Sequence, residues 1–252
     1  MTTVMVVPLA RVAVVAGRWI SGAPLIMRLS IVIPVLNEAD HLATFLQHLQ
    51  PLRSAGHEVI LVDGGSQDES PAIAAPLCDL VLSSVPGRGG QMNAGATQAT
   101  GDWLVFLHAD TQLPQPFFEW VEMIAYSSKN WGRFNVRLSG QRPIFRVIET
   151  FINWRSRVTG IATGDQAMFV RRELFQALDG FADQPLMEDI ELCRRLRKQG
   201  SPLCLKQPAK TSSRRWETGG VWRTVVLMWE LRLRYFLGAS PTELAERYYP
   251  SR

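Results

Sequence analysis

The residues best equipped for chemistry are a few acidic and basic groups next to glycines and apolar runs. Asp63 ends one such run and opens the loop Gly64, Gly65, Ser66, Gln67, Asp68. A carboxylate there can accept hydrogen bonds from a bound base or ribose, with Gly64 and Gly65 letting backbone approach the ligand. It can equally be a turn aspartate capping Gly65 or Ser66, and Asp68 reads as a helix N-cap. Arg88, Gly89, Gly90 and Asn93 set a guanidinium and a flexible loop before a helix N-terminus, which favours anions; a plain glycine turn is the alternative. Asp110 suits Mg²⁺ or Mn²⁺. His108, two residues earlier, would tolerate Mn²⁺ better, or simply packs against a strand end.

Glu188 and Asp189 open a helix with Ile190, Cys193 and Leu196 on its apolar face. Acids in a first turn often do no more than complement the helix dipole. Gly164, Asp165 and Gln166 precede a strand and could line a cleft, although Asp165 also fits a turn. Arg214, Arg215 and Trp216 suit a mobile, phosphate-contacting loop or a solvated basic patch. Arg155 and Arg157 read as a solvated helix face, with contact to a charged ligand as the other reading.

These groups need a scaffold, and its periodicity is visible. Leu29–Pro34, Glu58–Val62, Asp79–Ser83 and Trp103–His108 are apolar strand-like runs separated by helical patterns, the first spanning roughly Glu38 to Leu52. Strands alternating with helices predict an α/β fold with a mostly parallel, Rossmann-like sheet and helices on both faces. Ligands then sit beyond the carboxyl ends of the strands, where Asn37 and Glu38, Asp63 to Asp68, and His108 to Asp110 fall. Further on, Trp131–Leu138 and Gln166–Val170 read as strands. Pro143–Val158, Met187–Lys198 and Val221–Phe236 read as helices. The last mixes Trp222, Leu227, Trp229, Leu231 and Phe236 with arginines, which suits packing on the domain or lying at a membrane interface.

Composition narrows the function classes. The chain is 46% hydrophobic and 20% charged, as in an ordinary globular protein. It carries a net charge of +4, and only four of its 27 basic residues are lysines. An arginine excess suits phosphate or membrane-surface contact, but no basic run is interleaved with aromatics, so no nucleic-acid partner is expected. Cys78, Cys193 and Cys204 form no zinc or CxxC spacing and read as reduced thiols in a cytoplasmic protein. Residues 1–27 are apolar but broken by Arg11 and Arg18, too short between charges to span a bilayer. They read as a mobile or non-native extension ahead of a single domain over 28–252, with a nucleotide half to residue 110 and an acceptor half after it. The segment after the first strand, PVLNEADH, lacks the glycine and lysine of a nucleotidyltransferase loop and the G-x-G-x-x-G of a dinucleotide oxidoreductase.

In order and spacing the segments SIVIPVLNE, VILVDGGSQDES, GRGGQMNAG, VFLHAD, MED and SRRW resemble the family-two glycosyltransferases of the GT-A fold. The departures are Gly64 in place of a second acidic residue and His108 in the first position of the usual DxD. The finer pieces NWRSR, TGDQAMFVRR, PLMEDIELCRRLRKQG and RRWETGG look like the radical-SAM/selenodomain-associated subgroup, some members of which are assigned to arsenosugar biosynthesis. The resemblance implies an inverting transfer of a hexose from a nucleotide-diphosphate sugar, UDP-linked by family frequency. Asp189 would be the base and Glu188 its supporting partner. Pro34, Asn37, Glu38, Asp63, Gly64, Gly65, Arg88, Asn93, Asp110, Arg215 and Trp216 would surround the donor, and Gly164, Asp165 and Gln166 the acceptor. A divalent Mn²⁺ or Mg²⁺ would sit on Asp110 and His108. The acceptor is a small molecule or a lipid-linked one, and peripheral membrane contact is compatible with either. A non-catalytic nucleotide-sugar binder is the competing reading, with a sugar-phosphate nucleotidyltransferase behind it.

Overall fold

The computed structural model describes residues 27–249 and, ahead of them, only a strand pair, β1 (Val14–Val15) and β2 (Arg18–Trp19). The predicted extension over 1–27 otherwise lies outside the described residues. The sheet begins with β3 (Leu29–Val35), followed by helix α1 (Ala39–Ser54), β4 (Glu58–Asp63), the short α2 (Ser70–Ala74) and β5 (Leu80–Ser83). Helix α3 (Arg88–Gln98) leads to β6 (Trp103–Phe106), β7 (Thr111–Gln112), α4 (Phe117–Ala125) and β8 (Trp131–Leu138). Then come α5 (Pro143–Thr159), β9 (Phe169–Arg171), α6 (Arg172–Ala177), α7 (Glu188–Lys198), β10 (Leu203–Thr211), α8 (Arg214–Thr218), α9 (Val221–Phe236) and α10 (Pro241–Tyr248).

The eight-stranded sheet runs β5-β4-β3-β6-β9-β8-β10-β7. Its first four strands are parallel, as the alternation of strands and helices predicts. β9 then enters antiparallel to both β6 and β8, and β7 pairs antiparallel with β10 at the far edge. Gln166–Val170 is therefore not one strand: Gly164–Gln166 form a 3₁₀ turn and β9 starts at Phe169. His108 likewise lies beyond β6, which stops at Phe106.

β4 is buried at every position, which explains why its central VILV is a continuous apolar run rather than an alternation. Successive β3 side chains still part to opposite faces. Ile31, Ile33 and Val35 pack with Leu42, Phe45, Leu46 and Leu49 of α1 in one core, while Val32 joins Met92 and Ala96 of α3 in the other. α3 sits very close to the sheet, because a Cβ on Gly95 would come within 2.5 Å of Val32 and 2.9 Å of Val62.

The second half is fastened by polar stitches. Asn153 of α5 donates to Val136 O (3.0 Å) and accepts from Val136 N (2.8 Å), and Glu149 accepts from Leu138 N. Arg133, fully buried, donates to Asn153 O at 3.1 Å. Together they fix α5 along β8, so the face it turns outward is set by the sheet.

Candidate active site

A cleft of about 950 Å³ runs across the carboxyl ends of the central strands and under α5, α8 and α9. One end holds Glu38, Arg88, His108 and Asp110, and the other Gly164, Asp165, Glu188 and Asp189, with Arg214, Arg215 and Trp216 along the side. Residues separated by up to a hundred and more positions in sequence thus face one space. Pro34, Asn37, Asp63, Gly64, Gly65, Asn93 and Gln166 do not line it.

Around Asp110 the carboxyl of Glu38 feels Arg214 and Arg88 as well as Asp110 itself. Asp110 is exposed, and its carboxylate accepts from Thr111 Oγ1 (3.1 Å). Its backbone is held by Ser212, which donates to Asp110 O at 3.1 Å and so places the Arg214–Arg215 segment beside it. Burial, and to a lesser extent Arg88, push His108 down to about 4, so its imidazole is neutral across the physiological range. Burial also raises the Glu38 carboxyl, partly offset by Arg214. Arg215 lies 4.0 Å over the Tyr248 ring, a partner that nothing local in the sequence identifies. Trp216 packs against the small core of Leu138, Phe145, Ile148 and Val221.

Among the described residues no group of three or more His, Cys, Asp or Glu side chains could hold a metal ion alone. Asp110, an exposed carboxylate, nevertheless fits the way Mg²⁺ or Mn²⁺ is held with nucleotides, by one or two carboxylates, phosphate oxygens and water; His108 would add an imidazole, which suits Mn²⁺ better than Mg²⁺.

The opposite end is built on Met187, whose φ of 67° lies in the left-handed region. For a non-glycine residue that conformation costs on the order of 1 kcal/mol. It turns the chain into α7, and Glu188 and Asp189 form its first turn. Asp189 accepts from Gly164 N (3.0 Å) and Ile190 N (2.7 Å). Those bonds and Arg232 favour its charged form, but burial outweighs them and the carboxyl is raised above its ordinary value. Glu188, 7% exposed, is pushed up to about 7 by burial and then by Asp189. The pair therefore offers a carboxylate more basic than a solvated one beside a carboxyl that holds its proton near neutrality. Gly164 is wedged between the two ends: its N–H meets Asp189, and a Cβ on it would overlap the His108 ring.

Several predicted site residues do structural work. Asp63 caps its own turn, accepting from Gly65 N (3.0 Å) and Ser66 N (3.1 Å). Asn37 braces the same loop through Gln67 N, and Gly64 is backed by Gln91, which donates to Val35 O and Val62 O. Asp68 is not the N-cap, a position held by Glu69; it bridges Ala39 N and Ser70 N. Asn93 spends both amide atoms on Phe181, each at 2.8 Å, and Gln166 is buried with its carbonyl on Thr163 N. The segment at Arg88 is not a flexible loop, because α3 begins there and contains Gly89 and Gly90.

One arginine differs from the sequence reading. Arg155 is not solvated: Nε and Nη2 are buried without a partner, it lines the cleft, and burial and Arg232 lower it to about 10. Helix α9 divides between the two readings: Leu227, Leu231 and Tyr235 pack on the core, whereas Trp222 and Trp229 are 72% and 57% exposed.

The mixed α/β sheet flanked by helices, with its cleft beyond the strand ends, has the fold of the GT-A glycosyltransferases. Solved structures with this fold include S. aureus TarS, with a TM-score of 0.60 at 17% identity over 74% of this chain and 61% of that one. Another is glucosyl-3-phosphoglycerate synthase from Mycobacterium tuberculosis in complex with Mn²⁺, uridine diphosphate and glucosyl-3-phosphoglycerate, with a TM-score of 0.55 at 20% identity over 80% and 78% of the two chains. The model of glycosyl transferase family 2 matches residues 30–178, and the chain belongs to that family. Among curated relatives, the undecaprenyl-phosphate 4-deoxy-4-formamido-L-arabinose transferase of Klebsiella pneumoniae is 28% identical over 59% of this chain and 49% of its own length. The chain thus spans about half the length of the curated relatives it matches.

Proposed function

We propose that the protein transfers a hexose from a nucleotide-diphosphate sugar, UDP-linked, to an acceptor hydroxyl with inversion, and that Asp189 is the base. The observation carrying this is Asp189 itself, held by Gly164 N–H in the same cleft as His108, Asp110 and Arg88. Asp189 takes the acceptor proton as the acceptor oxygen bonds to the anomeric carbon and the carbon–oxygen bond to the diphosphate breaks. One displacement inverts the centre and leaves no covalent sugar on the enzyme. Arg88, Arg214 and Arg215 receive the charge that develops on the departing diphosphate. Asp110 and His108 would hold a divalent ion, which adds Lewis-acid stabilisation of that leaving group when bound. Glu188 stands beside the base in the first turn of α7 as its supporting partner, a carboxyl that keeps its proton near neutrality. Asp63, Asn37 and Gly64 shape the loop beside the donor's nucleoside. The NWRSR and RRWETGG segments support placement in the radical-SAM/selenodomain-associated subgroup.

A second reading of the acceptor is favoured by Arg155. An unpartnered buried guanidinium in the cleft suits a phosphate, and the named relative acts on undecaprenyl phosphate. A phosphate oxygen is already ionised and needs no base.

Release of UDP or GDP from a panel of donors with Mn²⁺ tests the proposal. Asp189→Asn should keep donor binding and lower turnover to a hydroxyl acceptor by about 10²–10⁴-fold, and Asp110→Ala should weaken metal-supported donor binding. Near-normal turnover in Asp189→Asn sinks the base assignment and points to the phosphate acceptor. Tight nucleotide binding with no release from any donor identifies a non-catalytic binder.

A further inference from the structure

Two neighbouring helices each present an uncovered apolar stripe. On α5 it comprises Val147, Phe151, Trp154 and Val158, and on α9 Trp222, Val226, Trp229, Leu233 and Phe236. Both follow the alternating four- and three-residue spacing that keeps side chains on one helix face. The stripes meet, for Phe151 and Trp229 stack with ring centroids 5.5 Å apart and Phe151 also touches Trp154 at 5.8 Å. Trp154 is 58% exposed and Leu233 60%. An apolar surface this continuous is unusual on a protein that stays in water.

The charges around it select what covers it. Glu149 is buried against Arg146 and Leu138 N, and Glu230 is paired with Arg247 (2.7 Å) and Arg234. The exposed charged groups on these two helices and the residue capping α5 are Arg142, Arg157 and Arg223, all basic, while the exposed Glu217 of neighbouring α8 accepts from Ser213 Oγ. A second copy of this chain laid on the same face would set those arginines against each other. An anionic lipid surface would meet them with opposite charge and receive the indoles at headgroup depth. No helix among the described residues is long and apolar enough to cross a membrane, so the contact would lie along the surface. Val147, Phe151, Trp222 and Trp229 also line the mouth of the cleft, and the surface is therefore continuous with the site holding Asp189.

We infer that the α5–α9 face docks on an anionic bilayer and that the acceptor is an amphiphile whose chain stays in the lipid while its head enters the cleft. The acceptor half of this inference rests on the transferase reading; the docking half does not. The test is co-sedimentation of the full chain with phosphatidylcholine vesicles, with and without phosphatidylglycerol, followed also by tryptophan emission. The wild-type protein should bind the anionic vesicles, shift its emission to the blue, and bind less as salt rises. Trp154→Ser combined with Leu233→Ser removes two stripe residues outside the cleft lining, and should weaken vesicle binding about tenfold or more. Nucleotide release from the donor in solution should stay at the wild-type level. A milder variant, Arg157→Gln, should lower binding to anionic vesicles alone. No wild-type binding to either vesicle overturns the inference, and so does a wild-type dimer in solution that the double variant dissociates. Vesicle binding without donor turnover would instead count against the transferase reading and leave the docking surface standing.

Discussion

Replacing Glu188 by glutamine should make the protein more stable at pH 8 and leave it almost unchanged near pH 4.5. The fold holds this carboxyl at about 7 instead of its ordinary 4.5, with burial as the main cause. Between those values the unfolded chain gives up the proton first, so stability falls as pH rises and the loss is complete once the folded-state carboxyl has also ionised. At ~1.4 kcal/mol per pH unit, the displacement corresponds to roughly 3 kcal/mol. Glutamine keeps the volume and never ionises, so it escapes that cost. For a chain of this size the variant should melt about 6–12 °C higher at pH 8. Urea unfolding of both proteins at the two pH values reads this directly. A stability gap of the same size at both pH values would refute the argument, because the effect would then come from packing and not from buried charge. A second consequence is testable in the same protein. Glu188 keeps its proton while Asp189 ionises, so the substitution should leave the acidic limb of turnover where it is.

In the wild-type enzyme that limb should lie above the range of a solvated carboxylate, since burial raises both Asp189 and Glu188; a limb at an ordinary aspartate value in the pH profile of kcat/KM would contradict it. Arg155→Met should not destabilise the fold, and should raise its stability by about 1 kcal/mol, because two buried N–H groups without hydrogen-bond partners are removed, a gain partly offset by the lost attraction of Asp165 and Asp189. The same change should raise KM tenfold or more for a phosphorylated acceptor, on the order expected for a charged hydrogen bond, and leave donor KM alone. Gly95→Ala should cost about 1–3 kcal/mol in urea unfolding, because the new methyl meets Val32 and Val62 on the sheet.

Much of the fold was legible because its elements carry their own periodicity. Trp131–Leu138 and Val221–Phe236 have the bounds that the sequence pattern predicts. β10 was hidden by its composition: LCLKQPAKT interrupts the apolar pattern with lysines and Pro208, and its register slips between Cys204 and Pro208. The direction of β9 was hidden for another reason. A buried three-residue strand reads alike either way, and only its partners make it antiparallel. At the site, acids at strand ends and helix starts could be found, since position along an element fixes where they point. Asn93 and Gln166 could not be separated from ligand-binding residues, because a buried amide meeting backbone has the same sequence signature. The α9 stripe was visible as spacing, but spacing marks a helix face without saying what lies against it. NWRSR shows the limit within five residues: Asn153 stitches the sheet, Trp154 faces outward, and Arg155 enters the cleft.

Gly164 has a consequence for how the enzyme could diversify. One residue with no side chain spans from the His108 ring to the Asp189 carboxylate. On the proposed mechanism it is a fixed ruler between the side where the leaving group would depart and the side where the nucleophile would arrive. Selection for a longer or bulkier acceptor cannot widen that gauge without disturbing both ends at once. Variation in what the enzyme accepts should therefore accumulate on the helical wall of the cleft, where Ile144, Val147 and Leu227 can change while the ruler stays the same length.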